Sequence, residues 1–472
     1  MGMVIGRENQ LFLLNNALIS NKSELVAVYG RRRVGKTFLI RETYRKHFVF
    51  ELSGIPQGDI KDQLMNFYQE LVKKSKKMAK YPKPANWMEA FSLLEKFIDG
   101  LTTKGKKVIF LDEFPWIYTQ KSKFIQLFAH FWNNYCSKRS DLVVVNCGSS
   151  ASFMVNKVIN DKFGLHNRIT LPIRLLPFNL YETELYLKSR KIHWDRYAYV
   201  QLYMAIGGIP HYLEKIQRGD SVATAIDRLC FQKDGVLVNE FNQVFTSLFE
   251  NASIHIKLVE TLALSQKGLT RSEIISKSNI NSGGTLSHTL RELIESGFVS
   301  ESQPYNKVKE TLYRLSDEYS IFYQRFIKPN KNSSWVTLYN SRSYITWCGF
   351  AFETLCLKHV RQIIKQLGIS GMSVNSVSWR NSLAQIDLLL DRSDRYINLC
   401  EIKFSESEFV ISKSYLESLQ RKKEVFKNDL KSRKNLFVTF ITAFGVKEND
   451  YYNNIVDNQI TIDSFFMRID SF

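Results

Sequence analysis

The chain has 472 residues, too many for one hydrophobic core, and the length predicts roughly two to four domains. Hydrophobic residues make up 44% and charged residues 24%, and no apolar run reaches the ~18 residues of a membrane span, which excludes disordered and membrane-embedded classes. Lys plus Arg number 65 against 46 Asp plus Glu, and the net charge of +19 points to a polyanionic partner.

The start, Met1 to Glu8, lacks the charged-then-apolar layout of a signal peptide. The six cysteines, Cys136, Cys147, Cys230, Cys348, Cys356 and Cys400, form no CxxC pair. They read as reduced core thiols of a cytoplasmic protein, with no structural zinc.

Leu25 to Tyr29 is an apolar, β-branched run and predicts a buried strand. It feeds into Gly30-Arg31-Arg32-Arg33-Val34-Gly35-Lys36-Thr37, a full GxxxxGK[ST] match followed by Phe38. Gly30 and Gly35 let the backbone curl so that its N–H groups face phosphates. The helix from Thr37 to about Tyr44 adds its positive end. Lys36 suits the β and γ oxygens of ATP, and Thr37 suits Mg²⁺.

Lys107 to Glu113 is a second buried strand ending in two acids. Asp112 is placed to hold Mg²⁺ and Glu113 to polarise the attacking water. A third strand, Leu142 to Cys147, ends in Gly148-Ser149-Ser150. Asn146, Ser149 and Ser150 are candidates to stand beside the γ-phosphate, with a plain Gly-Ser turn as the alternative. Asn179 to Arg228 reads as helical, broken at Gly207-Gly208-Ile209-Pro210.

These motifs resemble the archaeal-type AAA+ ATPases of archaea and of bacteria such as Bacteroides. The resemblance rests on Ile5-Gly6-Arg7-Glu8, the phosphate loop, Leu111-Asp112-Glu113-Phe114-Pro115-Trp116, Cys147-Gly148-Ser149-Ser150 and Gly207-Gly208-Ile209-Pro210-His211-Tyr212-Leu213, and it extends over nearly the whole chain. It implies that Pro210 packs on the nucleotide base. It also implies an arginine that reaches a phosphate across a subunit contact. In the matching stretch, Gly164 to Arg168, only Leu165 and Arg168 keep the pattern, which makes Arg168 the candidate.

Ser253 to Leu264 predicts a helix, Thr270-Arg271-Ser272-Glu273 a capping box opening a second, and Thr285 to Ser296 a third. In the third, Leu286, Leu290, Leu293 and Ile294 form one stripe, leaving Ser287, His288 and Arg291 facing away. Strands at Gly297-Phe298-Val299 and Tyr313-Arg314-Leu315, joined by a loop holding Lys307 and Lys309, complete the order of a winged helix-turn-helix. It is similar to the winged helix these ATPases carry. A polar stretch from Lys328 to Ser334 reads as a linker.

Gln385 to Leu390 and Tyr396 to Phe404 predict a hairpin. Glu401 and Lys403 share one face of it, and Asp387 lies nearly opposite. Glu353 sits on a preceding helix. The set resembles the PD-(D/E)xK nuclease core, with Ile386 where the motif has proline. The resemblance implies Asp387 and Glu401 as metal ligands, Lys403 as the electrostatic residue and Glu353 as the helix acid. The basic run Gln420 to Lys423 reads as a solvated helix face.

The resulting expectation is an α/β protein: a P-loop AAA+ ATPase core at 1–175, a helical lid at 176–245, a winged helix at 246–330 and a restriction-endonuclease-like domain at 336–472. ATP and Mg²⁺ are the expected cofactors. DNA, ahead of RNA, is the expected partner, alongside a second copy or another protein, and no membrane. A signalling switch with a non-catalytic C-terminal module is the alternative.

Overall fold

Five strands build the first sheet: β1 (Glu24–Tyr29), β2 (Phe48–Ser53), β3 (Lys107–Asp112), β4 (Leu142–Gly148) and β5 (Leu171–Arg174). Their order is β2-β3-β4-β1-β5, and all the pairings are parallel. Every residue of β3 and β4 is buried. Continuous apolar runs of this kind suit a parallel sheet covered on both faces, where each strand has no solvent side to serve. One face packs on the helices Ile60–Lys74, Trp87–Asp99 and Phe124–Asn134 through Phe50, Phe67, Trp87, Phe91, Phe124 and Phe128. Trp87 and Phe124 lie 4.7 Å apart between ring centroids. The carboxyl ends of β1, β3 and β4, where an open α/β sheet takes its ligand, carry the phosphate loop, Asp112 and Ser149.

The computed structural model describes residues 3–161, 164–305, 310–330, 333–430 and 433–469. The chain divides into two units. The first is Met1–Leu176 with the short segments Leu248–Glu250 and Glu295–Gly297; the second comprises Pro177–Ser247, Asn251–Ile294 and Phe298–Phe472. Among the described residues, no helix is long and apolar enough to cross a membrane. All six cysteines are free and buried, as expected of reduced core thiols.

The second unit opens with helices Leu180–Ser189 and Arg196–Ile206. Asn179 and Glu182 form a reciprocal cap on the first. The break expected at Gly207 is present. Gly207 has φ +67, and a Cβ on Gly208 would stand 1.9 Å from the Phe178 carbonyl oxygen. Pro210 then starts the short helix Pro210–Leu213, where its missing N–H costs nothing.

Helices Ala252–Ala263, Arg271–Ser278 and Gly284–Glu295 follow, with the three-stranded antiparallel sheet of β6 (Leu269–Thr270), β7 (Val299–Ser302) and β8 (Leu312–Leu315). Thr270 and Glu273 make the predicted capping box. Leu286, Leu290 and Leu293 are buried, while His288 and Arg291 are exposed. Lys307 and Lys309 lie outside the described residues.

The segment read as a linker does not leave the chain free. Ser334 caps the helix Trp335–Leu338, and Trp335 is fully buried, with ring contacts to Phe231, Phe322 and Phe326. The last sheet has β9 (Val374–Arg380), β10 (Gln385–Arg392), β11 (Tyr396–Lys403), β12 (Asn435–Thr442) and β13 (Asn458–Thr461), in the order β13-β12-β11-β10-β9. Its first three strands are antiparallel and its last two join in parallel. The helix Arg342–Lys358 packs on β11, and the helix Lys413–Asp429 links β11 to β12.

Candidate functional site

The loop after β1 is shaped by two glycines. Gly30 has φ +149, and a Cβ there would lie 2.2 Å from the Leu175 carbonyl oxygen. Gly35 has φ +90 and caps the helix Lys36–Tyr44 without any side chain. A Cβ on Gly35 would meet nothing within 4 Å, so open space lies beside the backbone where a phosphate loop needs it. Arg7, from the entry box, is buried and donates to the carbonyls of Val34 at 3.4 Å and Leu176 at 2.7 Å. The sequence marks Arg7 only as part of a motif; here it braces the loop. Arg32 lies over the Trp116 ring at 5.9 Å, Val34 is buried and Phe38 is exposed.

Lys36 is 6% exposed, and its Nζ donates to the carbonyls of Gly30 at 2.9 Å and Arg31 at 3.0 Å. Burial pulls its pKa down, opposed by Cys147, Glu113 and Asp112. The Thr37 hydroxyl donates to Asp112 Oδ2 at 3.0 Å, with Oδ1 at 3.2 Å. Burial raises the Asp112 carboxyl, and the Thr37 hydrogen bond opposes this. A hydroxyl and a carboxylate converging beside the loop form the hard-oxygen donor set that suits Mg²⁺.

Glu113 follows with φ +45, a left-handed turn at the strand tip. Its Oε2 accepts from Ser149 Oγ at 2.8 Å and from the Ser149 N–H at 3.1 Å. The Gly148-Ser149 turn is thus tied to the second acid of β3. Ser150 starts the short helix Ala151–Phe153, and Asn146 is fully buried. The buried Cys147 thiol helps to hold the Asp112 carboxyl down. The sequence marks Cys147 only as the first residue of a motif and as a core thiol. Arg168 sits on an exposed turn, its N–H donating to the Leu165 carbonyl at 2.9 Å.

In the second unit, the hairpin register pairs Leu388 with Cys400, which puts Asp387 beside the position of Glu401. Glu401 accepts from Tyr415 Oη at 2.6 Å and from Lys422 Nζ at 2.7 Å, and Lys403 Nζ lies 3.1 Å away. Burial disfavours its charge, but Lys422 and Lys403 hold its carboxyl below the usual range. Lys422 comes from the basic run that reads as a solvated face, so that reading fails at this residue: its ammonium turns inward to a carboxylate. Tyr415 lies two turns earlier on the same helix face and had no motif to mark it.

Glu353, on the helix Arg342–Lys358, is pushed up to about 7 by burial and then by Asp387, against Arg314 and Lys403. Glu353, Asp387, Glu401 and Lys403 therefore stand within electrostatic reach of one another. Yet no three His, Cys, Asp or Glu residues among the described ones gather closely enough to hold a metal ion. The set is right in kind for a divalent cation, but as arranged it does not make a cage.

Residues 5–216 match the model of an ATPase domain found predominantly in Archaea. An uncharacterized protein of Methanocaldococcus jannaschii is 24% identical over 432 residues, covering 90% of this chain and 92% of its own. A Walker-type ATPase of Pyrococcus abyssi shares the fold with a TM-score of 0.51 at 18% identity, over 68% of this chain and 96% of that one. An ORC2 protein of Aeropyrum pernix matches 69% of this chain and 92% of its own at 15% identity, with a TM-score of 0.41. With the loop geometry above, the match over residues 5–216 supports an ATP-binding P-loop ATPase domain in the N-terminal part of this chain.

Proposed function

We propose that the protein couples Mg²⁺-dependent ATP hydrolysis to a DNA-directed module in its second unit, which has a winged helix and a PD-(D/E)xK-like fold. Thr37 and Asp112 hold the metal, which when bound neutralises charge on the phosphates. Lys36 exchanges its two loop carbonyls for phosphate oxygens. Glu113, released from Ser149, orients water and takes its proton. Arg168 and Pro210 keep the roles the resemblance gives them.

The observation carrying the DNA-directed reading is the meeting of Glu353, Asp387, Glu401 and Lys403 from one helix and two strands of one unit. The net charge of +19 supports a polyanion partner. The test is cleavage of supercoiled plasmid in Mg²⁺ or Mn²⁺, with and without ATP. The wild type is expected to cut and Asp387→Ala to fail while still hydrolysing ATP. Cutting that survives Asp387→Ala overturns the nuclease reading.

A second reading makes the C-terminal module a non-catalytic binder worked by an ATP-driven switch. The hold of Tyr415 and Lys422 on Glu401 favours it. Retention on immobilised DNA separates the two: binding that weakens steeply with salt supports DNA, and no retention at low salt supports the switch.

A further inference from the structure

The phosphate loop carries Arg31, Arg32 and Arg33 in a row, and they differ in placement. Arg31 is buried, Arg33 is exposed, and Arg32 between them is half-buried. The Arg32 guanidinium lies over the Trp116 ring, 5.9 Å from its centroid, within the reach of a cation–π contact. Among the described residues, no carboxylate forms an ion pair with it. Trp116 is a fixed seat. It stands on the short helix Phe114–Ile117, and its N–H donates to the Glu113 carbonyl at 2.8 Å. A Cβ on Gly54, just after β2, would lie 2.9 Å from Trp116 Cβ and 2.7 Å from the Glu113 carbonyl oxygen. A Cβ on Gly148, at the end of β4, would lie 2.8 Å from Pro115 Cδ. Glycine at both positions lets the turn from Glu113 to Trp116 press against the strand ends on either side of β3.

This seat decides which phosphate Arg32 serves. Thr37 and Asp112 meet at the helix end of the loop, while Trp116 lies on the turn that Glu113 opens. A guanidinium on the indole therefore stands on the Glu113 side of the loop, where water meets the terminal phosphate. The pKa of Lys36, lowered chiefly by burial, is lowered further by the charge of Arg32, so the two cations flank one place.

We infer that Arg32 is a catalytic residue supplied by the same chain: from its seat on Trp116 the guanidinium contacts the γ-phosphate during transfer, and Trp116 positions it. The inference rests on the ATP-hydrolysis reading of the loop. In that step the water oxygen bonds to the γ-phosphorus and the water proton passes to Glu113. The bond from the γ-phosphorus to the bridging oxygen breaks, and its electron pair stays on ADP. Charge gathers on the bridging oxygen and on the oxygens of the moving phosphoryl group. A guanidinium answers it with donors in a planar fork and a charge that does not titrate. Donors already in place act most strongly where that charge is greatest, so they raise kcat more than they tighten the binding of ATP. ADP lacks the phosphate concerned, and its affinity does not depend on Arg32.

The experiment uses the full chain with Mg²⁺ and two readouts. One is steady-state ATP turnover. The other is titration of fluorescent ADP with and without aluminium fluoride, which completes a mimic of the phosphoryl group in transfer. Arg32→Ala is expected to lower kcat by about 10²-fold or more, to leave ADP affinity within about twofold, and to lose the tightening by aluminium fluoride. Arg32→Met, which keeps the stem over the ring, serves if the alanine variant does not fold. Arg32→Lys is expected to recover little, because an ammonium is not a planar fork. Trp116→Leu is expected to lower kcat by about tenfold, and Trp116→Phe, which keeps a ring face, by less than about threefold. A kcat in Arg32→Ala within about threefold of wild type, a fall in ADP affinity as large as the fall in kcat, or tightening by aluminium fluoride that survives the substitution overturns the inference. The absence of ATP turnover in the wild type overturns the hydrolysis reading together with it. Wild-type turnover that Arg32→Ala leaves intact overturns the role of Arg32 alone.

Discussion

Ser149 holds Glu113 by two hydrogen bonds to one carboxylate oxygen, 2.8 Å from its hydroxyl and 3.1 Å from its backbone N–H. A glutamate so engaged is not free to take a proton from water. Ser149→Ala removes the hydroxyl and leaves the backbone donor. A hydrogen bond to a charged group is worth about 1.5 kcal/mol, so basal ATP turnover should rise by up to about tenfold with ATP affinity unchanged. Glu113→Gln should lower turnover by at least ~10²-fold and leave binding intact. Steady-state hydrolysis beside fluorescent-nucleotide titration checks both.

Gly30 gives a steric prediction. Its Cβ would fall 2.2 Å from the Leu175 carbonyl oxygen, a backbone atom that cannot swing aside. Gly30→Ala should destabilise the first unit by about 1–3 kcal/mol and weaken ATP binding. Gly35→Ala meets no atom but keeps a φ of +90 that alanine resists, so its stability loss should be smaller. Chemical denaturation of the two variants ranks them.

The pair of Glu401 and Lys422 supplies a third test. Their nitrogen and oxygen lie 2.7 Å apart, with the Glu401 side chain 12% exposed. Lys422→Ala leaves that carboxylate with less compensation and should cost about 2–4 kcal/mol. Glu401→Gln combined with Lys422→Met should recover most of the loss, because both charges of the pair are gone and Lys403, which also faces Glu401, keeps access to water. A double-mutant cycle in urea measures the coupling.

His359 makes stability depend on pH. It is 1% exposed; its Nδ1–H donates to the Leu355 carbonyl at 2.8 Å, and its Nε2 accepts from the Leu180 N–H at 3.2 Å. A proton on Nε2 would face another N–H. Burial accordingly pulls the pKa down from 6.5 to about 4. Between those values the unfolded chain binds a proton that the folded one refuses. Stability is therefore complete above about pH 6.5 and lost as the pH falls towards 4, by up to ~3 kcal/mol. Thermal melts from pH 4.5 to 7 should show this slope in the wild type and a shallower one in His359→Gln.

The phosphate loop was legible because its chemistry is local. Two glycines, a lysine and a threonine in eight residues dictate both backbone and ligand, and the strand before them is continuous in hydrophobic residues. The Thr270 capping box and the hairpin register at Asp387 were legible for the same reason, since both are set by neighbours a few positions apart. The hold of Tyr415 on Glu401 was not. Nothing in Ser414-Tyr415-Leu416 says which acid the hydroxyl meets, because that depends on how the helix sits against the strand before it. Lys422 misled for a related reason. A basic helix face and a basic helix face with one inward lysine have the same sequence pattern, and only the acid at Glu401 distinguishes them.

The burial of all six cysteines has a practical side. None of the native thiols should react quickly with a maleimide in the folded protein, so one cysteine introduced at an exposed position would be the sole labelling site. Pairs of such positions could carry dyes for distance measurements through a nucleotide cycle without a cysteine-free background. The native thiols would serve in turn as a clock. Cys147 lies at the carboxyl end of β4, and the rate at which it becomes modifiable would time how often that end of the sheet opens.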